Sequence, residues 1–316
     1  MSLALLFSPQ GSQSVGMGRE LAAVSVSARD VFARADAALG WSVSKLAWEG
    51  PEERLNDTRQ TQPCLVATSV ACLAALREAD AALRPAFVAG HSVGEYAALV
   101  AAGVLSLDDA LRLVARRGAL MADAGDGGML AVIGLAREVV AETVALVGTP
   151  DEIVIANDNA PGQVVVSGRP AALDAAADAL RVAGAKRVIP LRVSGPFHSP
   201  AMRPVGEELA RAFDDATWHD ATIPLMSNVT AQPVTDATQI RGLLARQVSS
   251  PVEWVACIRH MRDAGVDTFV ECGPGSALSG MLRRIAPEAR ALNVSDPATL
   301  ATTVDALLPV TAEASA

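Results

Sequence analysis

The residues best suited to chemistry lie in Gly90-His91-Ser92-Val93-Gly94, a G-x-S-x-G pattern. A short apolar run, 86–89, precedes it and a helix-forming run, 95–102, follows at once. Strand, tight turn and helix in that order make a nucleophile elbow with serine at the apex. The flanking glycines leave room where strand and helix crowd together. The turn pushes the Ser92 hydroxyl into the open. It also sets the Val93 amide at a helix N-terminus, where a negative oxygen is stabilised.

A serine hydroxyl is a weak nucleophile at its own pKa and needs a base. The chain has four histidines. His91 adjoins Ser92, so its side chain is expected on the opposite face. His219 sits in a polar Trp-His-Asp loop, and His260 near the surface of a helix. His198 lies in Ser-Gly-Pro-Phe-His-Ser-Pro, a loop held by proline and glycine, and is the best candidate. The helical pattern 107–122 adds Arg117. At about 100° per residue, Asp108, Asp109, Arg112 and Arg116 gather on one side, whereas Arg117 falls among apolar residues. An arginine there must meet an anion, because an unpaired buried charge costs several kcal/mol. An internal partner such as Glu95 would serve, and so would a substrate carboxylate gripped through two hydrogen bonds.

These residues need elements to hold them. Leu3–Phe7 reads as an interior strand, followed by a loop through Ser8-Pro-Gln-Gly-Ser-Gln. That loop matches neither phosphate-binding glycine pattern and reads as a strand-to-helix connection. Residues 19–39 read as helical, and Gln62-Pro63 opens a long helix through Arg77 with proline in its first turn. After the glycine-rich hinge 125–128 the pattern changes. Strands at 129–134, 153–156, 164–167 and 187–193 alternate with helices at 136–147 and 170–183. The strands 153–156 and 164–167 are joined by an Asn-Asp-Asn-Ala-Pro-Gly turn. The order βαββαβ is the ferredoxin-like split unit. Further strands are expected at 224–228 and 268–272, with helices at 240–248, 251–264 and 276–285. The tail 311–316 is small and polar and reads as disordered.

Composition narrows the classes. The 316 residues are 51% hydrophobic and 19% charged, a globular balance. A net charge of −9 without a basic block argues against nucleic acid. Lysine occurs only at Lys45 and Lys186. Cys64, Cys72, Cys257 and Cys272 form no C-x-x-C and no zinc spacing, so they read as free thiols in a reducing compartment. The N-terminal run lacks a basic flank and is too short for a signal peptide. The apolar run 96–107 is broken by Gly103 and too short to span a bilayer. The expectation is a cytoplasmic protein without metal.

Taken together, the motifs resemble those of malonyl-CoA:acyl-carrier-protein transacylases of fatty-acid and polyketide synthesis. The likeness rests on Gln10-Gly-Ser-Gln, Thr61-Gln-Pro, Gly90-His-Ser-Val-Gly-Glu-Tyr, Arg116-Arg-Gly and Asn159-Ala-Pro-Gly-Gln. It continues through Gly195-Pro-Phe-His-Ser, Arg246-Gln with Pro251-Val-Glu-Trp, and Gly273-Pro-Gly. It implies an α/β-hydrolase-like large domain, residues 1–126 and 195–316, interrupted by the ferredoxin-like subdomain 127–194. It implies Ser92 as nucleophile, His198 as base, and an oxyanion hole from the amides of Gln10 and Val93. Arg117 would hold the malonyl carboxylate, and the backbone carbonyl of Gln247 would orient the histidine in place of an acid. Phe197 before the histidine favours malonyl over methylmalonyl, and His91 joins the substrate-binding set. Malonyl-CoA and acyl carrier protein are the implied partners of a monomer, with no cofactor. One departure stands out: Pro9 replaces a glycine of the family loop and removes its own N–H, leaving that of Gln10. An acidic carrier meeting an acidic chain needs a local basic patch, from Lys186, Arg187 and Arg192 or from Arg283 and Arg284.

Three other readings fit parts of the pattern. An ordinary serine esterase or thioesterase usually has an acid between serine and histidine and needs no buried arginine. The same transfer in a trans-acting polyketide system or malonate decarboxylase shares the motifs. A non-catalytic carrier-binding module would not need Ser92 and His198.

Overall fold

The computed structural model describes residues 2–307. The predicted tail 311–316 lies outside them.

Ten strands form two sheets. They are β1 (Leu3–Phe7), β2 (Phe87–Gly90), β3 (Gly128–Ile133), β4 (Ile153–Ala160), β5 (Gln163–Gly168), β6 (Arg187–Pro190), β7 (Leu225–Met226), β8 (Pro233–Val234), β9 (Thr268–Cys272) and β10 (Arg290–Val294). The larger sheet runs β10-β9-β1-β2-β7-β8 and is parallel except for β8. The smaller runs β4-β5-β3-β6 and is antiparallel throughout. With helices between strands, the chain is a mixed α/β protein.

The apolar run of β1 is buried on both faces, as a central parallel strand requires. Leu3, Leu5 and Phe7 face one core with the helices Thr58–Ala79 and Leu107–Ala122. Ala4 and Leu6 face a second core with Trp254, Ile258 and Phe269. Burying each large side chain contributes about 1.5–3 kcal/mol. A third core fills the space between the small sheet and its two helices, around Val132, Val140, Val164 and Leu180. The strands β1, β2 and β7 end beside one another, so the loops at their carboxyl ends meet above the sheet.

Several expectations need correction. The long helix starts at Thr58, a turn before Gln62, because the Asp57 side chain caps it through the Arg59 amide at 2.9 Å. Pro63 therefore sits in its second turn. The Asn-Asp-Asn-Ala segment is not a turn: β4 continues to Ala160 through two register shifts, leaving Pro161-Gly162 to reverse the chain. Asn157 also forms a parallel bridge with Val252, which ties the small sheet to the segment leading into the helix Trp254–Asp263. The strand expected over 187–193 stops at Pro190, and that over 224–228 shrinks to Leu225–Met226. The strand β10 and the helix Pro297–Leu307 were not anticipated; their short runs of mixed polarity give no strong period.

Candidate active site

The backbone dictates the elbow. The strand β2 ends at Gly90, Ser92 takes φ 52°, and the helix Gly94–Ala101 begins two residues later. A Cβ on Gly90 would lie 1.9 Å from the Gly94 carbonyl carbon, and one on Gly94 would lie 2.2 Å from the Phe7 carbonyl oxygen. Only glycine fits either place. Asn228, two residues beyond β7, locks the turn: its Oδ1 accepts from the Ser92 amide at 2.7 Å and its Nδ2 donates to the Gly90 carbonyl at 2.7 Å.

His198 also has a positive φ, 60°, and its amide donates to the Val248 carbonyl at 2.9 Å. Its Nε2 lies 2.8 Å from Ser92 Oγ. Its Nδ1 faces two backbone carbonyls, Gln247 at 2.9 Å and Ser250 at 3.1 Å. Carbonyls only accept, so Nδ1 carries the proton and Nε2 presents a lone pair to the serine hydroxyl. Burial, reinforced by the Arg117 charge, pushes the His198 pKa down to about 3, so the ring is neutral at ordinary pH.

Arg117 is 1% exposed, yet its guanidinium faces no carboxylate directly. Nη1 donates to Gln62 Oε1 at 2.8 Å; Nη2 donates to Gln247 Oε1 at 3.0 Å and to Ser92 Oγ at 3.1 Å. The anticipated partner Glu95 is one step removed: the Gln247 Nε2 amide donates to it and, at 3.0 Å, to the Ser92 carbonyl. Gln247 thus touches histidine, arginine, serine and glutamate together. Gln62 and Asn228 were not singled out from the sequence as site residues. For Gln62 a signal existed in Thr-Gln-Pro; for Asn228 nothing local distinguishes it from an ordinary polar residue.

The amides of Gln10 and Val93 donate to no hydrogen bond within the described residues, which leaves both available to an oxyanion. Pro9 lines a cavity of about 1120 Å³, as do Gln10, Ser92, Phe197 and His198. His91 corrects an expectation. It lines the same cavity as Ser92, reaching over to the small sheet, where its Nε2 lies 2.7 Å from Asn159 Oδ1. Burial pushes its pKa down to about 4. No helix of the described residues is long and apolar enough to cross a membrane, and no cluster of potential metal ligands occurs among them.

Residues 4–304 match the acyl transferase domain family. The chain belongs to this family. It is similar to a malonyl CoA-acyl carrier protein transacylase of Bacillus subtilis (strain 168), with 40% identity over 309 residues, 96% of this chain and 97% of the relative. Among solved structures it resembles an acyl carrier protein S-malonyltransferase of Vibrio cholerae, with TM-score 0.92, 39% identity and coverage of 96% and 100%. It also resembles a malonyl-transacylase solved in complex with its type II PKS acyl-carrier protein, with TM-score 0.93, 38% identity and coverage of 97% and 100%. In this acyl transferase Lys186 and Arg284 lie near one another: Arg284 donates to Gln163 Oε1 at 2.9 Å and to the Pro161 carbonyl, the Gly134 amide donates to the Gly162 carbonyl at 2.9 Å, and the Lys186 amide donates to the Ile133 carbonyl at 2.8 Å.

Proposed function

We propose that this acyl transferase moves a malonyl group from malonyl-CoA to the phosphopantetheine thiol of acyl carrier protein through a malonyl-Ser92 ester. The observation that carries it is a buried guanidinium 3.1 Å from a serine hydroxyl that is itself 2.8 Å from a neutral imidazole. A thioester carrying a free carboxylate suits that pairing of nucleophile and cation.

As Ser92 Oγ attacks the thioester carbon, its proton passes to His198 Nε2. The amides of Gln10 and Val93 hold the oxyanion, a contribution of about 3 kcal/mol per donor. The C–S bond breaks, and the departing sulfur takes the proton from His198 as CoA thiol. The carrier thiol then gives its proton to His198 and attacks the ester; Ser92 regains the proton as the C–O bond breaks. Arg117 fixes the malonyl carboxylate, and Phe197 and His91 bound the acyl site. Nothing in these steps calls for metal or cofactor.

The finer architecture follows the same reading. The sheet order β4-β5-β3-β6 is that of a ferredoxin-like split βαββαβ unit, which supports a subdomain over 127–194 inserted into an α/β-hydrolase-like domain of 1–126 and 195–316. Four free, buried cysteines suit a cytoplasmic setting. Lys186, Arg187, Arg192 and Arg283 beside Arg284 offer a basic face for an acidic carrier, with Arg192 on the cavity wall.

Intact mass after brief mixing with malonyl-CoA, beside acetyl-CoA and a Ser92→Ala control, tests the proposal. A malonyl adduct that needs Ser92 and disappears on adding carrier protein is expected. Steady release of free malonate with no adduct would point to a hydrolase instead.

A further inference from the structure

The mechanism leaves one buried acid unused. Glu95 is 2% exposed and sits in the first turn of the elbow helix, three residues after Ser92. Its carboxylate accepts from Gln247 Nε2, and the same amide group turns its Oε1 to Arg117 Nη2 at 3.0 Å. An ionised carboxylate accepts only, so it dictates which end of the Gln247 amide faces it and which faces the guanidinium. The buried site therefore holds one cation and one anion joined through a neutral amide, before any substrate carboxylate arrives.

We propose that Glu95 is a positioning residue and the resident counter-anion of Arg117, acting through Gln247, so that it weakens the grip on a substrate carboxylate. This rests on the reading of Arg117 as the malonyl clamp. A second anion at the guanidinium shares its charge with the first, and one of the two anions becomes easier to protonate. The groups facing Glu95 leave no other candidate for that exchange. Tyr96 on its own helix and Cys257 on the helix Trp254–Asp263 are both pushed up by burial and stay neutral. His198 is pushed down and neutral, and Gln247 and Asn228 do not titrate. Glu95 itself is raised to about 7, chiefly by burial, with the Gln247 and Asn228 hydrogen bonds and Arg117 pulling it back. When a substrate carboxylate occupies Arg117, that last restraint weakens and Glu95 takes up part of a proton.

The test is calorimetric titration of the Ser92→Ala protein with malonyl-CoA and acetyl-CoA at pH 7.5, in two buffers of different ionisation enthalpy. Malonyl-CoA is expected to take up more protons than acetyl-CoA, whose arm cancels the contribution of the CoA phosphates. Adding Glu95→Gln is expected to abolish that difference and to tighten malonyl-CoA binding about tenfold at pH 8, the two proteins converging at pH 6. Equal proton uptake from both thioesters would overturn the proposal, and so would a difference that survives Glu95→Gln. The first comparison needs no change at Glu95, so it decides even if the variant does not fold. Failure of malonyl-CoA to bind, with no labelling of Ser92 in the unmodified enzyme, would instead overturn the transferase reading and this proposal with it.

Discussion

The backbone carbonyl of Gln247 lies 2.9 Å from Nδ1 of His198, and no carboxylate of the described residues hydrogen-bonds that ring. The base is thus oriented by dipoles alone. A carboxylate there would stabilise the imidazolium; carbonyls fix the tautomer with far less pull on the proton. Combined with burial and the neighbouring Arg117, this keeps His198 neutral.

The pH profile of acylation should show the consequence. The base must be unprotonated, and its pKa is depressed, so activity falls only when the pH drops toward the lowered value. Between pH 8 and 6 the kcat/KM for malonyl-CoA should not show a His198 limb near the usual 6.5. A fall in kcat/KM as the pH drops through 6.5 would mean that the ring is more solvated than its burial implies; protonation of Glu95 acts in the opposite sense and raises kcat/KM for malonyl-CoA as the pH falls.

Stability should respond in the same direction. His91 and His198 are depressed to about 4 and about 3, so the unfolded chain binds more protons than the folded one between those values and 6.5. Stability contributed by their neutral forms is full above 6.5 and is lost as pH falls. At pH 5 the deficit should be about 2 kcal/mol per histidine. Denaturation midpoints at pH 7 and 5 for the parent and for His198→Asn would measure it, the variant showing the flatter dependence.

Replacing Arg117 by alanine should lower kcat/KM for malonyl-CoA by about 10²-fold, the loss expected when a buried charge pair is truncated. Acetyl transfer should suffer less, because that substrate has no carboxylate to hold. Side-by-side kinetics with the two thioesters give the ratio; equal losses would show that Arg117 serves folding or Ser92 alone.

Charge reversal at Lys186 and Arg187, which lie off the cavity wall, should raise the apparent KM for carrier protein and leave acylation of Ser92 by malonyl-CoA unchanged. The two half-reactions can be followed separately by mass, and an equal loss in both would remove this face as the docking surface.

Two glycines make a contrast. Gly90→Ala places a methyl against the Gly94 backbone and should destabilise by about 3 kcal/mol or more. Gly242, exposed in the helix Ala237–Gln247, has nothing within 4 Å of an added Cβ. Gly242→Ala should stabilise by about 0.5–1 kcal/mol. Thermal melts of both would check the pair.

Short-range sterics and periodicity made much of this protein legible in its sequence. Glycines two residues either side of a serine need no distant contact to demand a tight turn. Arg117 on an apolar helical face had to be buried whatever lay opposite it. The strand β1, apolar throughout, had to lie in the middle of a sheet. The tertiary structure alone decided what lies opposite. Ser92 and His198 are 106 positions apart, and Ser92 and Gln247 155. A backbone carbonyl that replaces a triad acid has no side-chain signature, because every residue carries one. Asn228 looks like an ordinary strand-end residue, and Glu95 like a direct partner of Arg117, until the chain after β7 and the helix Ala237–Gln247 are packed against the elbow. The side chain of His91 turned to the cavity, against the alternation expected of a strand, because it follows the end of β2. Beyond that point Asn159 and Trp254, not the pleat, set its direction.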